Sequence, residues 1–411
     1  MDKMGQDTID NRLSLTHVGG RGGSRGFPHT PVFEGDCINV LYDADQECIE
    51  QVIDTNQENS SELHVFPYCL GDECRKALFH IAYDPYCSSL LEFNDEYRDF
   101  YKFYCVFDYI YTETAQQMET REVDLVTLDH LFETGRVNVP PPDFLSIDAE
   151  GFDYEVLKGA LSTVRSSVLG IIVEVQFFPF YKGQKTFGDV SSLLQENGFY
   201  FCRFDSLHHG MMPYRTPIGL RADDFHSGAD ALFLKRTECI EAGSDGDAYK
   251  RYIMLRKLAF ISMAFNQFAY GVKCLEKSLP YRQSSRVVDR VYLRFLDEIE
   301  EAVRKVPPFY PHTFTSEFTF EQSKGRFNKG AGAWTRSIPK EKVAHLINSF
   351  GYEEVEAILV KYGMSQMADL MKENRIYQTI SALWANGYLE KVDTDLISLV
   401  TKYISEQRER Y

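Results

Sequence analysis

Short apolar runs alternate with helix-periodic stretches from residue 13 to about residue 236, and this alternation predicts the fold class. Strands that alternate with helices are typical of a mainly parallel sheet covered by helices on both faces. The predicted strands are Leu13–Val18, Ile38–Tyr42, Leu63–Leu70, Ala77–Ala82, Val123–Thr127, Phe144–Ile147, Val168–Val175, Phe199–Phe204 and Ala231–Lys235. The predicted helices are Gln46–Asp54, Leu128–Thr134, Asp153–Leu161 and Phe187–Asn197.

The pattern changes after about residue 240, where helix-periodic positions continue but strand-like runs stop. Residues 248–305 and 339–411 are predicted to be helical, and residues 306–338, rich in Pro, Gly and aromatics, to form an extended connector. We therefore expect an α/β domain over residues 1–240 and an all-helical domain over residues 241–411. Nothing in the second domain indicates catalysis.

An aromatic stretch over residues 93–111 has little turn chemistry and does not fit the alternation. It contains Phe93, Tyr97, Phe100, Tyr101, Phe103, Tyr104, Phe107, Tyr109 and Tyr111. It is either a lid or wall for a substrate, or a helix that packs its aromatic side on the core. The pattern leaves both interpretations open.

The charge and cysteine content restrict the partners. The formal net charge is -17, which repels nucleic-acid phosphates and anionic lipid headgroups. Nine cysteines occur without a C-x-x-C pair, which favours reduced thiols in a cytoplasmic protein. No apolar segment resembles a signal peptide or approaches the roughly 18 residues of a membrane helix. We expect no nucleic-acid and no membrane partner.

A glycine-rich turn follows the first predicted strand. Gly19, Gly20 and Gly22 would let the backbone approach a phosphate or a cofactor, although the spacing is a poor match to a dinucleotide fingerprint. Asp43 ends the next strand about 20 positions later, where a carboxylate holds a ribose diol. Asp45 is the alternative, or it caps the helix that begins at Gln46. Both NAD and S-adenosylmethionine carry that ribose.

Two carboxylates occupy the junction between the strand Phe144–Ile147 and the following helix. Asp148 and Glu150 stand where an open α/β sheet binds its ligands, at the carboxyl end of a strand. The alternative is structural, with Asp148 capping the helix and Glu150 stabilising its first turn.

An ordered series of motifs runs from about Leu13 to Arg236. It comprises His17–Gly23, Leu41–Asp45, Cys69–Asp72, Cys87–Leu91, Val126–Asp129, Ile147–Phe152, Val156–Ala160, Val173–Phe177, Tyr181–Gly183 and Asp230–Leu234. In this order the motifs resemble the FkbM family of S-adenosylmethionine-dependent methyltransferases. Two positions depart from the family pattern: His17 replaces an acidic or amide residue, and Asp43 replaces what is more often Glu.

The resemblance implies a doubly wound, seven-stranded, Rossmann-like methyltransferase sheet whose last strand is antiparallel. It implies S-adenosylmethionine as cofactor and transfer of a methyl group to a hydroxyl of a small molecule or glycan. The implied cofactor residues are His17, Gly19, Gly20, Gly22, Asp43, Leu70, Gly71, Asp72 and Asp148. The resemblance also implies that Asp148 and Glu150 flank the methyl group and the acceptor. From the position of these residues at strand ends beside the glycine turn, we expect Glu150 or Asp148 to act as the catalytic base. The expected acceptor residues are Ser88, Ser89, Glu150 and Glu174.

Other functions remain open from the residues alone. The glycine turn and Asp43 would also allow an NAD-dependent oxidoreductase, and a methyltransferase-like scaffold could bind a partner or a second copy through its helical half. No metal is predicted, because Asp148, Glu150, Glu174 and the pair His208-His209 match no metal-ligand spacing that we can name.

Overall fold

A seven-stranded sheet forms the centre of the protein in a computed structural model of the chain. Numbered along the chain, its strands are β1 (Leu13–Val18), β2 (Cys37–Tyr42), β3 (Glu62–Phe66), β7 (Phe144–Ile147), β8 (Gly170–Gln176), β9 (Phe199–His209) and β10 (His226–Lys235). Their order is β3-β2-β1-β7-β8-β10-β9. The structure describes residues 11–19, 26–28, 30–44, 49, 62–101, 111–209, 225–243, 247–282 and 290–304.

The strand pairing confirms the expected sheet. β1 lies parallel to both β2 and β7, β8 continues parallel to β7, and β10 runs antiparallel to β8 and β9. The last strand of the described residues, β10, is therefore antiparallel to its neighbours. β1, β2 and β7 are buried along their whole length, which explains why they are mainly apolar runs rather than alternating patterns.

A second, three-stranded sheet consists of β4 (Cys69–Leu70), β5 (Arg75–Ala82) and β6 (Gln117–Val126), in the order β4-β6-β5. β6 is antiparallel to β5 and parallel to β4. The strand predicted over Ala77–Ala82 is confirmed, and it belongs to this small sheet rather than to the main one.

One face of the main sheet packs against short helices. They are α2 (Leu128–Glu133), α3 (Asp153–Lys158), α4 (Leu161–Ser166) and α5 (Phe187–Glu196), and α1 (Tyr111–Thr114) precedes them. The helix predicted over Asp153–Leu161 is confirmed as α3 but ends at Lys158, and the sequence pattern missed α4, which begins at Leu161. The break has a polar cause: the carboxylate of Asp129 accepts hydrogen bonds from the backbone N–H of Ser162 and of Thr163, both at 2.8 Å, and so satisfies the start of α4.

The other face is covered by helices from later in the chain. They are α6 (Thr237–Gly243), α7 (Ala248–Ala264), α8 (Phe268–Ser278) and α9 (Val291–Arg304). Phe144 of β7 stacks on Phe265 with ring centroids 5.2 Å apart, whereas its neighbour Leu145 joins the core beneath α3 and α5. Successive strand residues point to opposite faces, so this pair shows that helices cover both.

The helices that follow residue 240 begin in the same compact unit as the sheet. The chain divides into two units, Met1–Asp297 and Glu298–Tyr411, whereas the sequence pattern places a boundary near residue 240. The connector 306–338, the helices predicted over 339–411 and most of the helix Gln46–Asp54 lie outside the described residues. Within the described ranges, no helix is both long and apolar enough to cross a membrane.

A buried ion pair joins α7 to the start of the sheet. Lys257 donates hydrogen bonds to Asp143 Oδ2 and to the backbone oxygen of Arg12, both at 2.7 Å. The same Asp143 oxygen accepts the backbone N–H of Ser14 at 2.8 Å. Since both charged side chains are nearly enclosed, the pair fixes the helix against the edge where β1 and β7 begin.

We expect Lys257→Met to lower the free energy of unfolding by about 3–5 kcal/mol, because Asp143 is left buried without its counter-charge. The double variant Lys257→Met with Asp143→Asn should recover part of that loss. Urea unfolding monitored by circular dichroism measures both. Lys250→Met, an exposed position on the same helix, is the control, and an equal loss there would contradict the prediction.

Candidate active site

A cavity of about 550 Å³ opens at the carboxyl ends of β1, β2 and β7. The main sheet and its loops contribute Val18, Gly19, Tyr42, Asp43, Ala44, Asp148, Ala149 and Glu150. The small sheet and neighbouring loops contribute Tyr68, Cys69, Leu70, Phe79, Ile81, Pro85, Tyr86, Ser88, Leu90, Arg121 and Val123. The volume lies within the roughly 300–1,000 Å³ of small-molecule sites.

Gly19 lies where β1 ends against the acidic junction. Its φ is +90°, and a Cβ at this position would stand 1.7 Å from the backbone oxygen of Asp148. The backbone N–H of Asp148 in turn donates to the oxygen of Val18 at 3.0 Å. Only glycine can occupy this place. Gly20 and Gly22, the other predicted cofactor glycines, lie outside the described residues.

His17 is buried beneath the glycine turn and is not among the residues that line the cavity. Its Nε2 donates to the backbone oxygen of Gly19 at 3.0 Å, so its Nδ1 accepts from the hydroxyl of Ser146 at 2.9 Å. Burial lowers the pKa of His17 to about 4 and keeps the ring neutral. His17 therefore holds the turn, and a direct contact with a cofactor stays a prediction.

The predicted ribose and adenine residues divide into two groups. Asp43 and Leu70 line the cavity, as predicted for cofactor residues. Gly71 and Asp72 do not line it: Gly71 packs on Leu125, and Asp72 forms an ion pair with Lys158 of α3 at 3.3 Å. The carboxylate of Asp43 also helps raise the pKa of Cys69, which burial takes to about 12.

The acidic junction turns sharply because two consecutive residues have positive φ, Glu150 at +49° and Gly151 at +88°. The left-handed region costs a residue other than glycine about 1–2 kcal/mol, so the surroundings must hold Glu150 in place. Asp153, the first residue of α3, does part of this. Its carboxylate accepts the N–H of Ala149 at 2.9 Å and that of Gly151 at 3.1 Å.

This arrangement overturns the structural alternative for Asp148. The N-cap of α3 is Phe152, which makes no side-chain capping bond. Because Asp153 satisfies the N–H groups of the turn, the carboxylate of Asp148 is left facing the cavity. Among the described residues it has no hydrogen-bond partner.

The two predicted acceptor serines have different positions. Ser88 lines the cavity, and its Oγ accepts the N–H of Ala82 at 3.1 Å. Ser89 does not line it; its hydroxyl donates to the backbone oxygen of Glu150 at 2.6 Å. Ser89 therefore supports the strained turn rather than the cavity wall.

Glu174 lies opposite Asp230 in the pairing of β8 with β10 and is not among the cavity-lining residues. It belongs to a group of mutually repelling carboxylates with Asp148, Glu150, Asp153 and Asp230. Burial, followed by the charges of Asp148 and Glu150, raises the pKa of Glu174 well above its ordinary value. The role of Glu174 in binding an acceptor stays a prediction.

The same causes act on the two junction carboxylates. Enclosure and the charges of Asp153 and Asp230 raise the pKa of Asp148 to about 7, although its side chain meets solvent in the cavity. Burial and the charge of Asp148 raise the pKa of Glu150 well above its ordinary value. Groups coupled this closely share their protons, so near neutral pH the cluster is partly protonated and can accept a proton.

Two supporting residues were missed by the sequence reasoning. Asp153 follows the Asp-x-Glu-Gly motif by two positions, and Tyr181 belongs to the Tyr-Lys-Gly motif; its hydroxyl contacts Glu150 Oε2 at 3.0 Å. Tyr181 stood inside a motif that carried the resemblance, and Asp153 directly follows the motif Ile147–Phe152. Their positions were a usable signal, but the pattern did not indicate that they contact the carboxylate turn.

The aromatic stretch is seen in part. Asp95–Tyr101 forms a 3-10 helix whose rings pack against the segment after β8: Phe100 stacks on Phe178 with centroids 4.1 Å apart. Residues 102–110 lie outside the described part, so the choice between lid and core stays open for them. Within the described residues, no group of three or more His, Cys, Asp or Glu side chains is arranged to hold a metal ion.

Residues 35–201 match the family described as methyltransferase FkbM domain. Over this segment the chain is similar to methyltransferase FkbM domains. The match includes β2, the small sheet, the Asp148–Glu150 junction and Tyr181. Gly19 and β1 lie before the matched segment, and Asp230 lies after it.

Two solved structures are similar to this chain. The first is methyltransferase FkbM from Methylobacillus flagellatus KT, with 13% identity and a TM-score of 0.30, over 55% of this chain and 44% of that one. The second is magnesium protoporphyrin IX methyltransferase from Synechocystis PCC 6803 with bound SAM, with 9% identity and a TM-score of 0.28, over 56% of this chain and 73% of that one. The chain thus spans less than half the length of the Methylobacillus protein. No curated protein matches.

We expect Glu174→Gln to raise the free energy of unfolding at pH 8 by about 0.5–2 kcal/mol and to change it little at pH 5. A carboxyl whose pKa is raised on folding stabilises the fold below its unfolded pKa, and that contribution is lost as the pH rises through its folded pKa. At pH 8 the buried site holds the ionised carboxylate of Glu174 less well than water does in the unfolded chain, and Gln removes that penalty.

Urea unfolding at the two pH values measures this effect. Glu196→Gln, on the exposed side of α5, is the control. Equal destabilisation by Glu174→Gln at both pH values would show that Glu174 makes a contact the fold requires.

Proposed function

We propose that the protein is an S-adenosylmethionine-dependent O-methyltransferase that acts on a hydroxyl of a small molecule or glycan. The observation that carries the proposal is the convergence of Gly19, Asp43, Asp148 and Glu150 on one cavity, whose three carboxylates lie within the segment that matches the methyltransferase FkbM domain. These elements come from three different strand ends, and each supplies a group that this chemistry needs.

The residues around the cavity fit the cofactor. Gly19 allows close approach of the backbone, and Asp43 offers a carboxylate to a ribose diol. Leu70 and the ring of Tyr42 provide apolar surface for the adenine base of the cofactor. The hydroxyl of Tyr42 is buried without a hydrogen-bond partner among the described residues, so it is available to a polar atom of a ligand. When bound, the cofactor supplies a methyl group activated on a positively charged sulfur.

The cavity wall nearest Glu150 is mainly apolar, and this indicates which kind of acceptor fits there. Ser89 links this wall to Glu150, and the adjoining Ile81, Pro85, Tyr86 and Leu90 line the cavity together with Ser88. Each hydroxyl of a sugar would need a polar partner here to replace its lost water. Between the two acceptor classes, this wall favours a small molecule whose hydroxyl is attached to an apolar body.

The carboxylates have two tasks in the proposed reaction. Transfer from a sulfonium is an in-line displacement with a good leaving group, so much of the catalysis is positioning. The acceptor hydroxyl must also lose its proton, and a placed carboxylate contributes typically 10²–10⁴-fold. Asp148 and Glu150 face the cavity with raised pKa values, as a base that works near neutral pH requires.

The first test is binding of S-adenosylmethionine and of NADH by calorimetry. We expect the first to bind and the second not to bind. Binding of NADH alone would favour an oxidoreductase, and binding of neither would favour the scaffold.

With a methylated acceptor in hand, we expect Asp148→Asn and Glu150→Gln each to lower turnover, the variant that removes the base by about 10²–10⁴-fold. Turnover is measured from the S-adenosylhomocysteine released. Glu133→Gln, an exposed position on α2, is the control. Near-normal turnover in both junction variants would exclude carboxylate assistance.

The affinity for S-adenosylmethionine should rise by up to about tenfold between pH 6 and pH 8, because Asp148 ionises near pH 7 and attracts the sulfonium. S-adenosylhomocysteine lacks that charge and should show a smaller dependence. Calorimetric titrations with both compounds check this. Asp148→Asn should flatten the difference, and identical pH profiles for the two compounds would contradict it.

A further inference from the structure

We infer that Tyr181 is the positioning residue for Glu150, and that its hydroxyl holds this carboxylate in place to accept the proton of the acceptor hydroxyl. The inference rests on the proposed function. Tyr181 is buried behind the junction and does not line the cavity, so it acts on the reaction only through Glu150.

The hydroxyl of Tyr181 has one proton and two acceptors. It lies 3.0 Å from Glu150 Oε2 and 3.0 Å from the backbone oxygen of Cys87. When Glu150 is ionised, the hydroxyl donates to Oε2. When Glu150 is protonated, the hydroxyl donates to Cys87 and accepts from Glu150. Tyr181 therefore has a satisfied arrangement on both sides of a proton transfer without moving its ring.

Tyr181 is itself rigidly held. Gln184 Oε1 accepts the backbone N–H of Phe180 at 2.7 Å and that of Tyr181 at 3.1 Å. The ring lies against Gly151, where a Cβ would stand 2.4 Å from a ring carbon. A side chain at residue 151 would thus displace the tyrosine, so the glycine serves this contact as well as the positive φ of the turn.

Glu150 is fixed at two points by different elements. Ser89 donates to its backbone oxygen at 2.6 Å, and Tyr181 contacts its side chain. Because its φ of +49° is strained, Glu150 keeps this conformation only while the surroundings enforce it. A base must lie within hydrogen-bond reach of the proton that it takes, which requires such enforcement.

The proton step balances without a further reactant. The acceptor O–H bond breaks and its proton passes to the Glu150 carboxylate. The freed oxygen pair forms the bond to the methyl carbon, and the pair of the breaking carbon–sulfur bond stays on sulfur. Tyr181 transfers no proton in net terms and only changes the partner to which it donates.

The surroundings of Glu150 set the direction of the expected effect. The titratable groups that face it are Asp84, Cys87, Tyr111, Asp148, Asp153, Glu174 and Tyr181. Burial and the neighbouring carboxylates raise the pKa of Glu150, and the hydrogen bond from Tyr181 opposes this. Without that bond, Glu150 would ionise only at a higher pH.

The test is Tyr181→Phe, compared with wild type across pH 5.5 to 9.5. We expect the acidic limb of the pH profile of kcat to move to higher pH by about one unit, because one hydrogen bond to a charged group changes a pKa by about that much. The KM for S-adenosylmethionine should stay within about twofold of wild type. Tyr101→Phe is the matched control. Tyr101 is buried in the same aromatic cluster, but its hydroxyl proton is shared between the backbone oxygens of Phe178 and Ser227 and does not reach Glu150.

A pH profile for Tyr181→Phe that falls uniformly, or that does not move, would overturn the inference, because a structural role lowers activity without shifting the limb. If the variant unfolds, the infrared carboxyl band of Glu150, assigned with Glu150→Gln, decides instead: this band must shift when the tyrosines are replaced biosynthetically by 3-fluorotyrosine, whose more acidic hydroxyl donates more strongly, and an unshifted band would overturn the inference. Wild-type protein that neither binds S-adenosylmethionine nor transfers methyl groups would refute the proposed function, whereas an active wild type with an unshifted variant would refute Tyr181 alone.

Discussion

The close contact between the ends of β1 and β7 is the constraint on which the site depends. Asp148 donates its backbone N–H to Val18, and its own oxygen lies so near Gly19 that no side chain fits between them. This contact places the glycine turn and the acidic junction on one cavity. His17 then supports the turn through a neutral ring that donates to Gly19 and accepts from Ser146. A charged histidine has no acceptor nitrogen and could not make both bonds in this way.

Bringing the strand ends together also brings several carboxylates close to one another, and these repel. Asp148, Glu150, Glu174 and Asp230 approach one another at the same sheet edge with no Lys or Arg hydrogen-bonded or ion-paired to them among the described residues. Such crowding destabilises the folded chain at neutral pH, because carboxylates with raised pKa values oppose folding when they ionise. A ligand with a positive charge would relieve it. The buried pair of Lys257 with Asp143, by contrast, is neutral overall and stabilises the opposite end of the same strands.

The sequence predicted the strands well, because buried parallel strands such as β1 and β7 are mainly apolar runs with clear ends. It also placed Asp43 and Asp148 at strand ends, and both line the cavity. It failed where a polar contact between distant segments decides the outcome: Asp129 binds the first N–H groups of α4, a helix that the pattern missed, and Ser89 reaches Glu150 across 61 positions. Spacing along the chain contains no information about such contacts.

The acidic residues of the junction have different roles, and this explains why the carboxylate of Asp148 is left facing the cavity. Three acidic residues occur within six positions, and one of them satisfies the N–H groups of the turn that leads into α3. Asp153 takes that role from inside the helix, since its two oxygens reach Ala149 and Gly151. Asp148 consequently has no local structural task, and Glu150 is held by residues from elsewhere in the chain. An ionisable side chain that makes no structural contact, and that lies at a strand end in a cavity with a raised pKa, is a candidate for a role in binding or catalysis.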